Sequence, residues 1–177
     1  VLGRTVVPGT AFVELATSAG RQAGHPVLEE LTIEAPLVLP AEGVQLQVSV
    51  GAEDGAGHCP VSVYSRTGAD APWVRHAVGS VVAGSPGHSG PDLSQWPPAG
   101  ATAIDVTGFY DQISEQAGLT YGPVFQGLRA AWRTEAEVYA EVALPADTRT
   151  EAAAYGVHPA LLDAALHAIV FGDTGKG

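Results

Sequence analysis

The sequence predicts an α+β protein built from two successive helix-and-sheet units. A helix-spaced apolar segment near the start is followed by four strand-like runs, and after a Pro/Gly/Ser-rich interruption helix and strand patterns begin again. One helix followed by antiparallel strands is the order of a layer in which a sheet wraps a helix.

In the first unit, Ala11, Phe12, Leu15, Ala16 and Ala19 follow helical spacing and predict a helix over residues 10–23. Pro8-Gly9-Thr10 supplies the start, with Thr10 as N-cap, and Gly24 with Pro26 the stop. Strands are expected over residues 31–39, 44–50, 60–65 and 73–82. Asp54-Gly55 and Thr67-Gly68 supply the turns between them.

The interruption, residues 85–100, lacks periodicity and reads as a linker on which Trp96 should dock against a neighbouring surface. Beyond it the spacing predicts a short amphipathic helix over 105–115, with Phe109, Tyr110 and Ile113 on its apolar side. A hairpin follows, with strands over 127–133 and 136–144 around Thr134-Glu135. The last segment, 158–171, is a strongly apolar helix with Pro159 in its first turn. A helix so apolar needs a sheet to cover it, so the second unit reads as incomplete. The expected division is a first half over 1–84, a linker over 85–101 and a second half over 102–177.

Composition narrows the function classes. Of 177 residues, 46% are hydrophobic and 15% charged, enough for a sizeable core. A formal net charge of -11 argues against broad nucleic-acid or anionic-membrane binding, which need cationic surface. Cys59 is the one cysteine, so no internal disulfide forms, and no Cys/His set has zinc spacing. Cys59 is expected to pack as a small hydrophobe in a strand. Apolar runs fall short of a membrane span and no signal peptide opens the chain, which leaves a cytoplasmic location as the default. The sequence has no methionine and opens on "VLGRTVVPGT", which reads as part of a longer polypeptide.

Three segments carry candidate chemistry. In "HPALLDAALH", Leu161, Leu162, Ala165, Leu166, Ile169 and Val170 gather on one helix face at roughly 100° per residue. Asp163 and His167 lie one turn apart at its rim, beside Val170. A carboxyl there is partly desolvated, which favours the neutral acid that a proton donor needs. The commoner meaning of this spacing is a plain i,i+4 helix pair worth about 0.2–0.5 kcal/mol. "YGPVFQGL" places Tyr121, Gly122 and Pro123 in a tight turn, after which Val124 and Phe125 re-enter the core. "GRTVVPG", Gly3 to Gly9, points free N–H groups at a helix start, suited to a carbonyl oxygen gaining charge. Taken singly, each is also an ordinary turn or helix start.

Together these segments resemble the dehydratase domains of modular type I polyketide synthases. Gly3 and Pro8 match the later positions of that family's H-x-x-x-G-x-x-x-x-P motif, Tyr121-Gly122-Pro123 and Phe125 its Y-G-P-x-F motif, and Asp163 with His167 its D-x-x-x-Q/H motif. "WVRHAVGSV" from Trp73 is similar to its W-x-x-H-A-x-G strand. Leu119 stands where an aromatic is common, a minor departure. The motif's histidine would fall two positions before Val1, and family members continue beyond Gly177.

The resemblance implies a double hot-dog fold, two sheets each wrapped around a long helix, with the second incomplete here. It implies loss of water from a 3-hydroxyacyl thioester carried on the phosphopantetheine arm of acyl carrier protein, a hydro-lyase reaction of polyketide biosynthesis. Asp163 would be the general acid, His167 would orient it, and the upstream histidine would be the base. Gly3, Pro8, Gly9, Tyr121, Gly122, Pro123 and Phe125 would line the substrate path. No metal or organic cofactor is implied. Expected partners are acyl carrier protein, other domains of the same synthase and a second copy in a homodimer. The 177-residue chain by itself is expected to be inactive. Two alternatives stay open: a catalytically silent scaffold of the same fold, or the same fold isomerising a double bond or closing a ring.

Overall fold

Helix α1 (Gly9–Gln22) forms where the apolar spacing asks for it, burying Thr10, Phe12, Ala16 and Gly20. In the computed structural model of the protein, residues 3–84 and 93–172 are described. The helix begins one residue earlier than expected, and Thr10 is not its cap. Pro8, in extended backbone, takes the cap position, and no side chain bonds to the first turn. Proline has a fixed φ and no N–H to satisfy, so the chain turns into the helix directly at Gly9. Thr10 instead lies buried, its hydroxyl without a partner among the described residues.

Contacts divide the chain into two compact units, Val1–Gly87 and His88–Gly177. In the first, strands β2 (Val27–Ile33), β4 (Gln45–Val50), β5 (His58–Arg66) and β6 (Val74–Val82) form an antiparallel sheet of order β2-β6-β5-β4. Along β5 burial alternates with the pleat: Cys59, Val61, Val63 and Ser65 face inward. Phe12 and Ala16 of α1 pack on that face with Leu37, Val63, Ala77, Val61 and Val81. Cys59 is free and buried in β5, as expected.

The expected strand over 31–39 is in fact two. β2 stops at Ile33, where the Glu34 and Ala35 N–H groups both turn to the His76 carbonyl, at 2.8 and 3.4 Å. Pro36 has no N–H to continue a ladder. β3 (Val38–Leu39) then pairs with β1 (Thr5–Val6), a short strand that alternation did not reveal.

The "WVRHAVG" text has a structural meaning. His76 is buried, with Nδ1 3.1 Å from the Ala35 carbonyl and Nε2 2.7 Å from Ser65 Oγ. A carbonyl only accepts, so Nδ1 carries the proton and Nε2 accepts from the Ser65 hydroxyl. Gly79 faces β2 so closely that a Cβ would lie 2.1 Å from the Glu30 carbonyl oxygen.

The second unit contains β7 (Thr102–Ile104), α2 (Phe109–Ala117), a 3-10 turn (Pro123–Phe125), β8 (Leu128–Arg133), β9 (Val138–Val142) and a short α3 (Arg149–Ala152). α4 (Pro159–Leu166) follows and tightens into a 3-10 segment, His167–Phe171. The sheet order is β7-β8-β9, antiparallel throughout. The helix expected over 105–115 starts later because Asp105 makes a turn: its Oδ1 accepts the Thr107 N–H at 2.9 Å. The hairpin stands as expected, with Thr134 N–H bonded to the Glu137 carbonyl at 2.9 Å.

Trp96 docks on this hairpin. Its ring meets Trp132 edge-on at 5.2 Å and Tyr139 at 6.2 Å, and its N–H donates to the Glu141 carboxylate. Residues 85–92 of the expected linker lie outside the described residues. No helix among the described residues is long and apolar enough to cross a membrane.

Within this chain the sheet covers a different side of the last helix from its apolar face. Ala160, Ala164, His167 and Ala168 are buried, whereas Leu166, Ile169 and Val170 are 47, 68 and 65% exposed. The sheet meets the small residues, because only they let the helix lie close.

Two measurements test these contacts. Gly79→Ala should lower unfolding stability by about 1–3 kcal/mol, read by chemical denaturation. Gly68→Ala, where a Cβ meets nothing within 4 Å, should be near neutral. His25 Nε2 lies 3.0 Å from Glu53 Oε2, and that carboxylate raises the imidazole above its ordinary value of 6.5. NMR titration should show the raised midpoint, and Glu53→Gln should return it downward. Because the folded value is the higher one, this contact favours folding at acidic pH and is lost as pH rises through the folded midpoint.

Candidate active site

α4 is started by His158, whose Nδ1 accepts the Ala160 N–H at 3.2 Å, with Pro159 in the first turn. One turn before the helix tightens, it presents Asp163, and the next turn brings His167. Gly127, just before β8, faces Ala164 so closely that a Cβ there would lie 2.8 Å from the alanine's. This close seat buries the His167 side chain to 8% exposure and leaves that of Asp163 at 18%. A carboxyl so placed is sheltered yet reachable.

His167 Nε2 is 3.3 Å from Asp163 Oδ2. The approach is close in distance but not aligned as a hydrogen bond, and Nε2 makes no other among the described residues. At the other side of the ring, Nδ1 is 3.3 Å from the Tyr110 hydroxyl oxygen. That oxygen accepts the Leu128 N–H at 2.9 Å. Rings of Phe109, Tyr110 and Tyr121 surround the imidazole at centroid distances of 5.8, 5.5 and 4.7 Å. Burial pushes the Tyr110 and Tyr121 hydroxyls above their ordinary value of 10, and the Asp163 charge pushes further in the same direction. Both therefore remain O–H donors at neutral pH.

Tyr121, Gly122, Pro123 and Phe125 form one turn against α4. The Phe125 N–H bonds the Gly122 carbonyl at 2.9 Å, and the Gln126 side-chain amide bonds the Tyr121 carbonyl at 2.9 Å. Val124 and Phe125 end up half-buried rather than in the core, and Gly122 and Pro123 are exposed. The turn thus has exposed residues at Gly122 and Pro123 and one aromatic ring, Tyr121, directly on His167.

The sequence-derived residues fall into two groups. Asp163, His167 and Tyr121 meet directly in the second unit, with Gly122, Pro123 and Phe125 in the same turn as Tyr121. Gly3, Pro8 and Gly9 belong to the first: Gly3 is an exposed turn residue with φ 72°, and Pro8 and Gly9 open α1. Beside that opening is an apolar groove of about 270 Å³ lined by Val6, Val7, Gly9, Phe12 and Ile33. Tyr110 was legible only as part of an apolar helix face. The available signal was its hydroxyl, which on a buried face needs a partner.

A concavity of the second unit, lined by Thr102, Arg133, Glu135, Val138, Ala168 and Ile169, does not include Asp163. It has no paired acid and base, so chemistry favours the Asp163 cluster over shape. Among the described residues, His25, Glu53 and Cys59 are the grouping near enough to share a metal ion. His25 is already satisfied there, by the Ala23 carbonyl at 3.0 Å and by Glu53.

A family model described as polyketide synthase dehydratase N-terminal domain matches residues 88–176. A second, described as polyketide synthase dehydratase domain, matches residues 1–66. The chain belongs to the polyketide synthase dehydratase family. It is 56% identical over 179 residues to polyketide synthase GfsA of Streptomyces halstedii, covering 98% of this chain and 2% of that protein. Among solved structures, it matches a dehydratase from work on the borrelidin and fluvirucin polyketide synthases at 52% identity and TM-score 0.90. That match covers 98% of this chain and 62% of the solved one. A bifunctional dehydratase-cyclase domain of ambruticin biosynthesis matches at 46% identity and TM-score 0.86, over 96% and 62%. The chain therefore spans under two thirds of the dehydratase chains it resembles, and its α+β units are of their hot-dog type.

The seat of α4 can be tested by Gly127→Ala. The clash with Ala164 should cost about 1–3 kcal/mol in chemical denaturation and shift the NMR signals of His167.

Proposed function

We propose that this chain is part of a dehydratase that removes water from a 3-hydroxyacyl thioester held on acyl carrier protein, giving the 2-enoyl thioester. The observation that carries the reading is Asp163: a sheltered but reachable carboxyl, backed by His167, in a chain of the polyketide synthase dehydratase family. The hydroxyl is a poor leaving group and must be protonated as the C–O bond breaks, which is the work of Asp163. The weakly acidic α-proton needs a base, which the motif pattern assigns to a histidine four residues ahead of Gly3. No side chain caps the start of α1, and in this reading its N–H groups at Gly9 would be the donors for charge developing on the thioester oxygen. Tyr121 to Phe125 would border the acyl chain near the acid.

This reading uses no metal or organic cofactor. Its partners are acyl carrier protein and neighbouring synthase domains, with a homodimer as the expected assembly. A second reading is favoured by the likeness to the ambruticin dehydratase-cyclase: dehydration followed by ring closure of the enoyl product. Mass and retention analysis of the product separates the two.

The deciding experiment replaces Asp163 by Asn in the synthase that carries this chain, with a 3-hydroxyacyl substrate on its carrier protein. Loss of a general acid should lower the rate by about 100-fold or more. Undiminished dehydration overturns the assignment.

A further inference from the structure

We propose that Tyr110 is a positioning residue that holds His167 with its proton on Nε2, so that the ring nitrogen nearest Asp163 carries an N–H and not a lone pair. The argument begins with the Tyr110 oxygen. It accepts the backbone N–H of Leu128 at 2.9 Å, so its own single proton is free to be given elsewhere. The acceptor within reach is His167 Nδ1, at 3.3 Å. A neutral imidazole has one bare nitrogen and one N–H. If Nδ1 is bare and accepts from Tyr110, the proton must sit on Nε2, the atom 3.3 Å from Asp163 Oδ2.

The tautomer matters for where the Asp163 proton goes; that consequence rests on the reading of Asp163 as the acid. With Nε2 bare, a protonated Asp163 would donate to the imidazole, and the proton meant for the leaving hydroxyl would be held there. With Nε2–H, the imidazole has no lone pair to offer on that side. The acid then has no acceptor on that side and can release its proton only toward the substrate, and the carboxylate left behind meets an N–H 3.3 Å away, not a lone pair. The balance is one proton from Asp163 to the departing oxygen, with Nε2–H keeping its own.

The surroundings hold Tyr110 to this role. Leu128 fixes its oxygen from the start of β8, and its ring meets Phe109 at 5.2 Å and Tyr121 at 5.7 Å. Burial raises the hydroxyl, so it stays protonated as a donor. The charged and titratable groups that act on it are Arg129, Asp163, Tyr121 and His167.

The test reads the tautomer directly, by 15N NMR of the 177-residue chain labelled at its six histidines, at a pH where imidazoles are neutral. His167 is assigned by its loss in His167→Gln. The expected wild-type result is a protonated Nε2 and a bare Nδ1. Tyr110→Phe keeps the ring but removes the hydroxyl, and should move His167 to a mixture of both forms. A wild-type Nδ1–H form, or an unchanged tautomer in Tyr110→Phe, overturns the proposal; the wild-type spectrum decides even if the variant does not fold. In the synthase carrying this chain, Tyr110→Phe should lower kcat at least about tenfold, as a misplaced histidine proton does elsewhere, with KM little changed. If Asp163→Asn leaves dehydration intact while the tautomer is as stated, the functional reading fails and the placement of the proton by Tyr110 stands.

Discussion

Close approach between helix and strand, made possible by residues with little or no side chain, is the constraint on which both units depend. In the first, Ala16 and Gly20 of α1 sit on the sheet face formed by Cys59, Val61 and Val81. In the second, Ala160, Ala164 and Ala168 line the buried side of α4, and Gly127 lies against Ala164. Interiors are packed near crystal density, so such a seat leaves no room for a methyl group to be added without movement. It also fixes where neighbouring side chains fall. Asp163 and His167 occupy their places because the alanines around them do not hold the helix away.

That constraint explains what was legible in the sequence and what was not. α1, the strands β4 to β6 and the hairpin β8–β9 follow periodicities of large apolar residues, and these appear where periodicity puts them. The last helix was also legible as a helix, but the side it turns to its own three-stranded sheet was not. Counting hydrophobicity gives weight to Leu166, Ile169 and Val170, which this chain leaves exposed, and none to the alanine row that its own sheet buries. An A-x-x-x-A-x-x-x-A spacing through residues 160, 164 and 168 was the missed signal. Short strands such as β1 and β3 have too few residues to show alternation at all.

The site shows a similar division. Asp163, His167 and the Tyr121 turn are local in sequence and could be picked out as motifs, although spacing alone could not tell an acid from a helix-surface pair. Tyr110 belongs to another element, 57 residues before His167, and meets it only after folding. Likewise the tight hydrogen bonding of His76 between Ala35 and Ser65 turns a motif histidine into a core residue. One motif histidine is therefore a fixed part of the first unit's interior, whereas the other lies 3.3 Å from the Asp163 carboxyl.

The docking of Trp96 has a practical consequence for anyone exchanging such domains between synthases. The indole lies before the first strand of its unit, yet its contacts are Trp132, Tyr139 and Glu141, all on the distal hairpin. A splice placed after Trp96 would leave those two aromatic rings uncovered and that carboxylate without its donor. A splice placed ahead of Leu93 transfers the indole together with the surface that receives it, so the natural cutting point is set by an aromatic clasp rather than by the first residue of regular structure.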